Sequence, residues 1–121
     1  MRIGEVAKKA GVSVRAVRHY ENLGLLRAAR AENRYRMFTD EDVQRIHLIQ
    51  RFLSVGFRLE EIRKYGPCWQ EGYSSAAPVP AEDFRVFFQR KVAMLDSQIS
   101  ALQQLRDRLS EKLQDTPAAQ H

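Results

Sequence analysis

The sequence predicts a mainly α-helical fold in two parts, about four short helices with a small β-hairpin followed by one long helix. Apolar residues recur at helical spacing through most of residues 1–64. Residues 66–80 then hold two of the chain's six glycines and three of its four prolines, which is typical of a linker. Residues 81–113 contain neither residue type, so we expect an uninterrupted helix there.

Two glycines and a serine predict a helix, a tight turn and a second helix near the start of the chain. Gly11 follows a first apolar stripe and can turn sharply. Ser13 suits the N-cap of the second helix, and Gly24 ends that helix. This layout is that of a helix-turn-helix, in which the second helix enters the major groove of DNA. An ordinary pair of helices has the same layout, so the spacing alone leaves both interpretations open.

The remainder of the first part is predicted to contain a hairpin and two more helices. The alternation from Tyr35 to Phe38 favours a small β-hairpin. Thr39 and Asp42 form a predicted capping box at the start of the third helix, Gly56 ends that helix, and a short fourth helix follows. The predicted buried stripe of the third helix is Val43, Ile46, Ile49 and Leu53.

The long helix carries a heptad pattern. Its apolar residues fall on two seam positions, one held by Phe88, Leu95, Leu102 and Leu109 and the other by Val92, Ile99 and Leu113. A helix over residues 81–113 runs about 50 Å at 1.5 Å per residue. This is longer than a small domain is wide, so the domain formed by residues 1–64 cannot cover the apolar stripe of the helix. We therefore expect a homodimer through a coiled coil. The predicted divisions are residues 1–65, a linker at 66–80, the dimerisation helix at 81–113 and a flexible tail at 114–121.

Basic charge is concentrated in the first part of the chain. The 121 residues carry a net charge of +5. Residues 1–64 have 14 Lys and Arg against 8 Asp and Glu, a net charge of +6, whereas residues 65–121 are at −1. This asymmetry favours a polyanionic partner for the first part, although a solvated basic surface has the same composition.

Two basic clusters have a geometry suited to DNA. On the second helix, Arg15 and Arg18 lie three residues apart and project from one side, with His19 beside them. Arginines so placed bind guanine edges or phosphates, and the helix start at Ser13 can hold phosphate oxygens. Tyr20 is expected to straddle the polar and apolar faces of this helix.

The second cluster lies on the predicted hairpin. Arg34 and Arg36 face one side of a strand there and Tyr35 faces the other. Two arginines on one face suit the gripping of phosphates beside the groove. A solvent-exposed hairpin tip is the alternative. Together, the two clusters favour a winged helix-turn-helix that binds DNA.

At this point several motifs occur together in a recognisable order. They are Ile3-Gly4-Glu5-Val6-Ala7, Gly11-Val12-Ser13, Arg15-Ala16-Val17-Arg18-His19-Tyr20-Glu21, Gly24-Leu25-Leu26, Tyr35-Arg36 with Phe38, and Gly56-Phe57-Arg58-Leu59-Glu60-Glu61-Ile62. The sequence resembles the MerR family of bacterial transcription regulators, closely over residues 2–64 and more loosely over the long helix.

The resemblance implies a winged helix-turn-helix, dimerisation through a long antiparallel coiled coil, and binding to promoters with an unusually long spacer. It also implies that the bound DNA is twisted and bent so that RNA polymerase can use it. The matching DNA-contact positions are Arg15, Arg18, His19 and Tyr20 on the recognition helix, and Arg34, Tyr35 and Arg36 on the wing. His19 departs from the tyrosine that is commoner in the family.

The sequence does not identify an effector. Metal-sensing members of this family carry cysteines at the start of the long helix and near the chain end, where this chain has Ala81-Glu82-Asp83 and residues 116–121. We therefore expect no metal site and no cofactor. Cys68, the single cysteine, is a candidate thiol sensor, although a small linker residue is the commoner role. Nearby aromatic residues could line an effector pocket or simply pack.

Other classes of protein fit less well. A secreted disulfide-bonded scaffold is not expected, because one cysteine cannot form an internal disulfide. A membrane-spanning protein is not expected either, because no apolar run reaches the roughly 20 residues that span a bilayer. The first residues do not resemble a signal peptide, so we expect a cytoplasmic protein. An enzyme is not expected, because His19 and His47 lack a partner motif. A protein-interaction adaptor, which would use the helix-turn-helix as a docking surface, remains the alternative. Such a surface would not require four arginines on two DNA-facing elements, namely Arg15, Arg18, Arg34 and Arg36.

Overall fold

The structure is a computed structural model, and it describes residues 1–26, 29–30, 36–70 and 79–118. The elements are α1 (Ile3–Ala10), α2 (Val14–Asn22), β1 (Ala29–Arg30), β2 (Arg36–Met37), α3 (Asp40–Ser54), α4 (Leu59–Tyr65), a 3₁₀ turn (Pro67–Trp69) and α5 (Ala81–Asp115). The chain divides into two compact units, Met1–Phe84 and Arg85–His121. The fold is mainly α-helical, as predicted.

The predicted helix-turn-helix forms where the glycines and the serine place it. Gly11 has a φ of 75°, which favours glycine, and it directly follows α1. Ser13 caps α2, and its hydroxyl accepts a hydrogen bond from the Ala16 amide at 3.0 Å. After α2, Gly24 has a φ of 79°, and the Leu25 amide returns to the Tyr20 carbonyl at 2.8 Å. These local interactions confirm the ends predicted for both helices.

Two very short strands follow α2. Ala29 pairs with Met37 and Arg30 with Arg36 in antiparallel register. Residues 31–35, which contain Arg34 and Tyr35, lie outside the described residues, so the DNA-gripping wing stays a prediction. Directly after β2, the backbone of Phe38 pairs with that of Met1, through Phe38 N to Met1 O and Met1 N to Phe38 O at 2.6 Å each.

Helix α3 begins with the predicted capping box. The Thr39 amide donates to the Asp42 carboxylate at 2.8 Å, and the Asp42 amide donates to the Thr39 hydroxyl at 3.4 Å. The prediction of Leu53 in the buried stripe is only partly right, because Leu53 is half-buried and its neighbour Phe52 is buried. Phe52 is drawn inward by ring contacts with Phe57 and other aromatic residues.

The core of the first unit lies among α1, α2, α3 and α4. Each fully buried aliphatic or aromatic side chain contributes about 1.5–3 kcal/mol through removal of apolar surface from water. The largest of these side chains are Phe38, Phe52, Leu25, Ile46, Ile49, Ile62, Val6 and Val17. This core holds α2 in place so that its opposite face stays in solvent.

Residues 66–70, which the sequence predicts as the start of a linker, pack into the first unit. Gly66 and Pro67 are buried. A Cβ atom at Gly66 would lie 2.4 Å from the Ile62 carbonyl oxygen and 3.0 Å from the Trp69 ring, so only glycine fits there. Residues 71–78 of the predicted linker lie outside the described residues.

Helix α5 is continuous for 35 residues, or about 50 Å at 1.5 Å per residue, and it extends slightly beyond the predicted end at residue 113. Every described residue from Val92 onward is exposed. None of the helices in the described part of the chain is both long and apolar enough to cross a membrane.

Candidate nucleic-acid interface

Helix α2 has one buried face and one charged, exposed face. Val17 is completely buried and Tyr20 is 5% exposed. Arg15, Arg18 and His19 are all exposed, at the i, i+3 and i+4 spacing that places three side chains on one side of a helix. The structure therefore brings together three of the recognition-helix side chains that the sequence predicts as DNA contacts.

The arginines of this face form no ion pair with the residues that the structure describes. Among the residues that the structure describes, Arg15 and Arg18 have no ion-pair partner, whereas Lys9 pairs with Asp40 at 3.0 Å and Arg45 with Glu41 at 3.7 Å. An unpaired guanidinium can fork onto guanine O6 and N7 or bind a phosphate without first breaking an ion pair.

The start of α2 adds a second feature favourable to anions. Ser13 is exposed and caps the helix, and the first turn contains no acidic residue. The free amides of that turn carry the partial positive charge of a helix amino terminus. Because the Ser13 hydroxyl oxygen already accepts from Ala16, its remaining role towards a phosphate is to donate its hydrogen.

Tyr20 differs from the other predicted contacts because it is buried. The side-chain amide of Gln50 donates a hydrogen bond to its phenolic oxygen at 2.6 Å, which links α2 to α3. Burial raises the pKa of Tyr20, and the hydrogen bond from Gln50 partly opposes that shift. The phenol thus stays protonated and positions α2, and only its own hydroxyl hydrogen remains for an outside acceptor.

Sequence reasoning did not find Gln50. Residues 20 and 50 are thirty positions apart, and Gln50 is an exposed polar residue of α3 with no distinctive neighbours. No local signal marks such a partner, because the contact exists only once α2 and α3 are packed together.

The structure gives little information on the predicted DNA contacts of the wing. Arg34 and Tyr35 lie outside the described residues, and for Arg36 the structure describes only a backbone position in β2. Elsewhere on the first unit, Arg51, Arg58 and Lys64 are all exposed. They add to the basic surface of this unit.

Cys68 is a poor candidate for a thiol sensor on physical grounds. It is half-buried, and burial raises the pKa of its thiol, with the nearby positive charge of Arg45 acting in the opposite direction. A raised pKa disfavours the thiolate, which is the reactive form. No group of three or more metal-ligating side chains occurs among the described residues.

The predicted dimer seam is exposed on the second unit. The seven side chains range from 40% exposed for Leu95 to 75% for Leu113, and the others are Phe88, Val92, Ile99, Leu102 and Leu109. Leu105 adds to the apolar surface towards the end of α5. An apolar row of this length is unfavourable in water and marks an interaction surface.

Two family models match the chain. The model described as MerR HTH family regulatory protein matches residues 1–66, and the model described as MerR, DNA binding matches residues 43–112. Together they include both the helix-turn-helix and most of α5.

Curated relatives agree with these matches. An uncharacterized HTH-type transcriptional regulator of Pseudomonas aeruginosa is 34% identical over 112 residues, which cover 92% of this chain and 81% of the relative. The HTH-type transcriptional regulator HmrR of Rhizobium leguminosarum is 32% identical over 106 residues, which cover 88% and 78%. The nodulation protein NolA of Bradyrhizobium elkanii is 38% identical over 109 residues, which span 89% of this chain and 44% of NolA.

Solved structures give the same picture. The regulator PbrR691 of Ralstonia metallidurans, solved in complex with lead(II), matches all of this chain and 91% of its own with a TM-score of 0.71 and 27% identity. HiNmlR, a MerR family regulator that lacks the sensor domain and was solved bound to promoter DNA, matches 93% of this chain and 83% of its own, with a TM-score of 0.57 and 28% identity.

Proposed function

This chain belongs to the MerR family of transcription regulators, and from that premise we propose that two copies pair through α5 and read two half-sites of one promoter. The chain is a DNA-binding regulator of transcription and not an enzyme. Each copy would insert α2 into the major groove of its half-site.

The outward face of α2 carries this proposal. Val17 and Tyr20 are buried and fix the orientation of the helix, while Arg15, Arg18 and His19 are exposed on its opposite side. A buried face sets the rotation of the helix, and that rotation determines which side chains meet the base edges. The capped start of the helix at Ser13 would meet a phosphate of the same groove.

The hairpin after α2 is the proposed wing. Arg34, Tyr35 and Arg36 would bind the DNA backbone beside the major groove, as the matching positions of the family imply. The antiparallel pairing of β1 with β2 supports a hairpin at this place. Backbone contacts of this kind increase affinity and set register without reading sequence.

The seam of α5 supports the homodimer. Its apolar row lies in solvent in the single chain, and a second copy would present the same row, so that both are buried in one symmetric contact. Dimerisation would also place two basic first units on one duplex. Such a dimer would act in the cytoplasm, where its promoter lies, by distorting a long promoter spacer so that RNA polymerase can use it.

Salt dependence separates this proposal from the adaptor alternative. We expect the affinity for random-sequence duplex DNA to fall by about 10³-fold or more between roughly 50 and 200 mM salt, because each phosphate contact releases counterions. The dimer affinity, which depends on apolar burial, should change little over the same range. Undetectable binding to duplex DNA at low salt would contradict the proposed function.

A further inference from the structure

The side chain of Trp69 forms a long-range hydrogen bond that plays no part in the proposed DNA contacts of α2. Its indole Nε1 donates a hydrogen bond to the backbone carbonyl of Leu25 at 2.8 Å, across 44 positions of sequence. Trp69 lies in the 3₁₀ turn that follows α4, and Leu25 lies in the connection that leaves α2. The bond therefore ties two separate stretches of backbone.

The accepting carbonyl lies where the recognition helix ends. Leu25 is completely buried, follows the left-handed turn at Gly24, and returns its amide to the Tyr20 carbonyl. The chain then continues through Leu26 towards β1. A shift of the Leu25 carbonyl would change the direction in which the chain leaves α2 for the proposed wing.

The indole ring has little room to move. The Arg45 guanidinium lies 5.5 Å from its centroid, and the Phe52 ring lies 6.5 Å away in an edge-on arrangement. The Trp69 amide bonds to the Gly66 carbonyl at 2.9 Å, and the backbone of Gly66 lies against the ring. Movement of residues 66–70 would thus be passed to Leu25 through the ring.

We propose that Trp69 is a positioning residue that couples residues 66–70 to the connection between the recognition helix and the proposed wing. The inference rests on the proposed mode of DNA binding, since it concerns the relative placement of two DNA-contacting elements. Any displacement of residues 66–70 would alter that placement, and DNA binding would in turn alter the surroundings of the indole.

The test compares two variants of the same short segment. Trp69→Phe keeps an aromatic ring and removes the donor to Leu25, whereas Gln70→Ala removes a side-chain bond to the Lys64 carbonyl, which does not reach Leu25. The probe is a duplex selected by the wild-type protein from a random pool. We expect Trp69→Phe to bind it about 3- to 10-fold more weakly, on the scale of one hydrogen bond, and Gln70→Ala to bind within twofold of wild type.

A hydroxyl-radical footprint adds a measurement that a loss of stability alone would not change. At saturating protein, Trp69→Phe should keep the protection of the sugars that border the major groove of each half-site and lose protection of the flanking sugars that the proposed wing would cover. An unchanged footprint together with wild-type affinity would overturn the inference. Failure of the wild-type protein to select any duplex would instead count against the proposed function.

A measurement on the wild-type protein covers the case in which Trp69→Phe does not fold. Trp69 is the single tryptophan of the sequence, so its indole N–H gives one nuclear magnetic resonance cross-peak. Addition of the selected duplex should move this peak in proportion to the bound fraction. A peak that stays in place at saturation would overturn the coupling.

Discussion

Helices α2 and α5 leave opposite kinds of surface in solvent. In α2, nine residues long, the apolar side chains Val17 and Tyr20 are buried and the cations Arg15 and Arg18 are exposed. In α5, 35 residues long, the apolar seam is exposed together with the polar side chains around it. Exposed cations are well solvated by water and remain available to bind an anion. An exposed apolar row is unfavourable in water until another apolar surface packs against it.

The difference teaches how one short chain can encode the two interfaces that we propose. The proposed DNA-reading surface needs a completed core beneath it, so its residues depend on contacts from α3. The proposed pairing surface needs only a regular heptad and a partner of the same kind. Substitutions on the two helices should therefore separate DNA binding from dimerisation.

The largest effect is expected from Leu102→Glu on the seam. In the proposed dimer it would bury two carboxylates without partners, and each costs several kcal/mol, so the dimer dissociation constant should rise about 100-fold or more. Sedimentation equilibrium measures this, with Gln104→Glu on the opposite side of the heptad as control. A Leu102→Glu dimer as tight as wild type would show that the seam is placed wrongly. Leu95→Glu should behave in the same way.

The next effect is expected from Arg18→Ala on the recognition helix. Loss of one guanine or phosphate fork costs about 1–3 kcal/mol, which is roughly a 5- to 150-fold loss of affinity for each of the two half-sites that the dimer binds. Gel shift measures the affinity, and sedimentation should show an intact dimer. Arg108→Ala removes an exposed arginine of α5 and serves as the control. Equal DNA affinity of Arg18→Ala and wild type would contradict the role assigned to α2.

Local signals explain why most of the first unit could be predicted from sequence. Gly11, Ser13 and the Thr39 capping box each act within a few residues, so the helix ends follow from neighbours in the chain. The family resemblance extended these predictions from the helix ends to the proposed DNA-contact face of α2. The packing of residues 66–70 could not be predicted in this way, because the bond between Trp69 and Leu25 spans 44 positions.

The same reasoning explains why the sequence did not predict the burial of three side chains correctly, namely Phe52, Leu53 and Tyr20. Phe52 and Leu53 are adjacent and both apolar, so periodicity alone does not decide which of them faces the aromatic residues of other elements. Tyr20 has both an apolar ring and a polar end, and its burial depends on Gln50 from α3. Such choices are settled by tertiary contacts.

A smaller effect is expected from Gly66→Ala, which tests the first unit alone. The new methyl group would meet the Ile62 carbonyl and the Trp69 ring, so the free energy of unfolding should fall by about 1–3 kcal/mol. Gly4→Ala is the matched control, since nothing lies within 4 Å of a Cβ there, and its helical position should make it neutral or stabilising. Urea denaturation measures both, and equal stabilities would mean that residues 66–70 are not packed as described.

The smallest effect is expected at Cys68. Its folded pKa is raised by burial, so the folded thiol keeps its proton at a pH where the unfolded thiol has lost it. Stability should therefore fall as the pH rises above about 8.5, and Cys68→Ala should lack this part of the fall. Iodoacetamide at pH 8 should react more slowly with the native protein than with the urea-unfolded chain. Faster reaction of the native thiol would contradict this assignment.

Selection of duplexes from a random pool by the wild-type protein tests the central claim most directly. Two copies related by a two-fold axis should enrich sequences with two inverted half-sites whose centres lie at a fixed spacing on the helical repeat. Arg18→Ala should relax the preference at one position of each half-site. Enrichment of a single half-site, or of no sequence at all, would contradict the account of a dimer that reads DNA through α2.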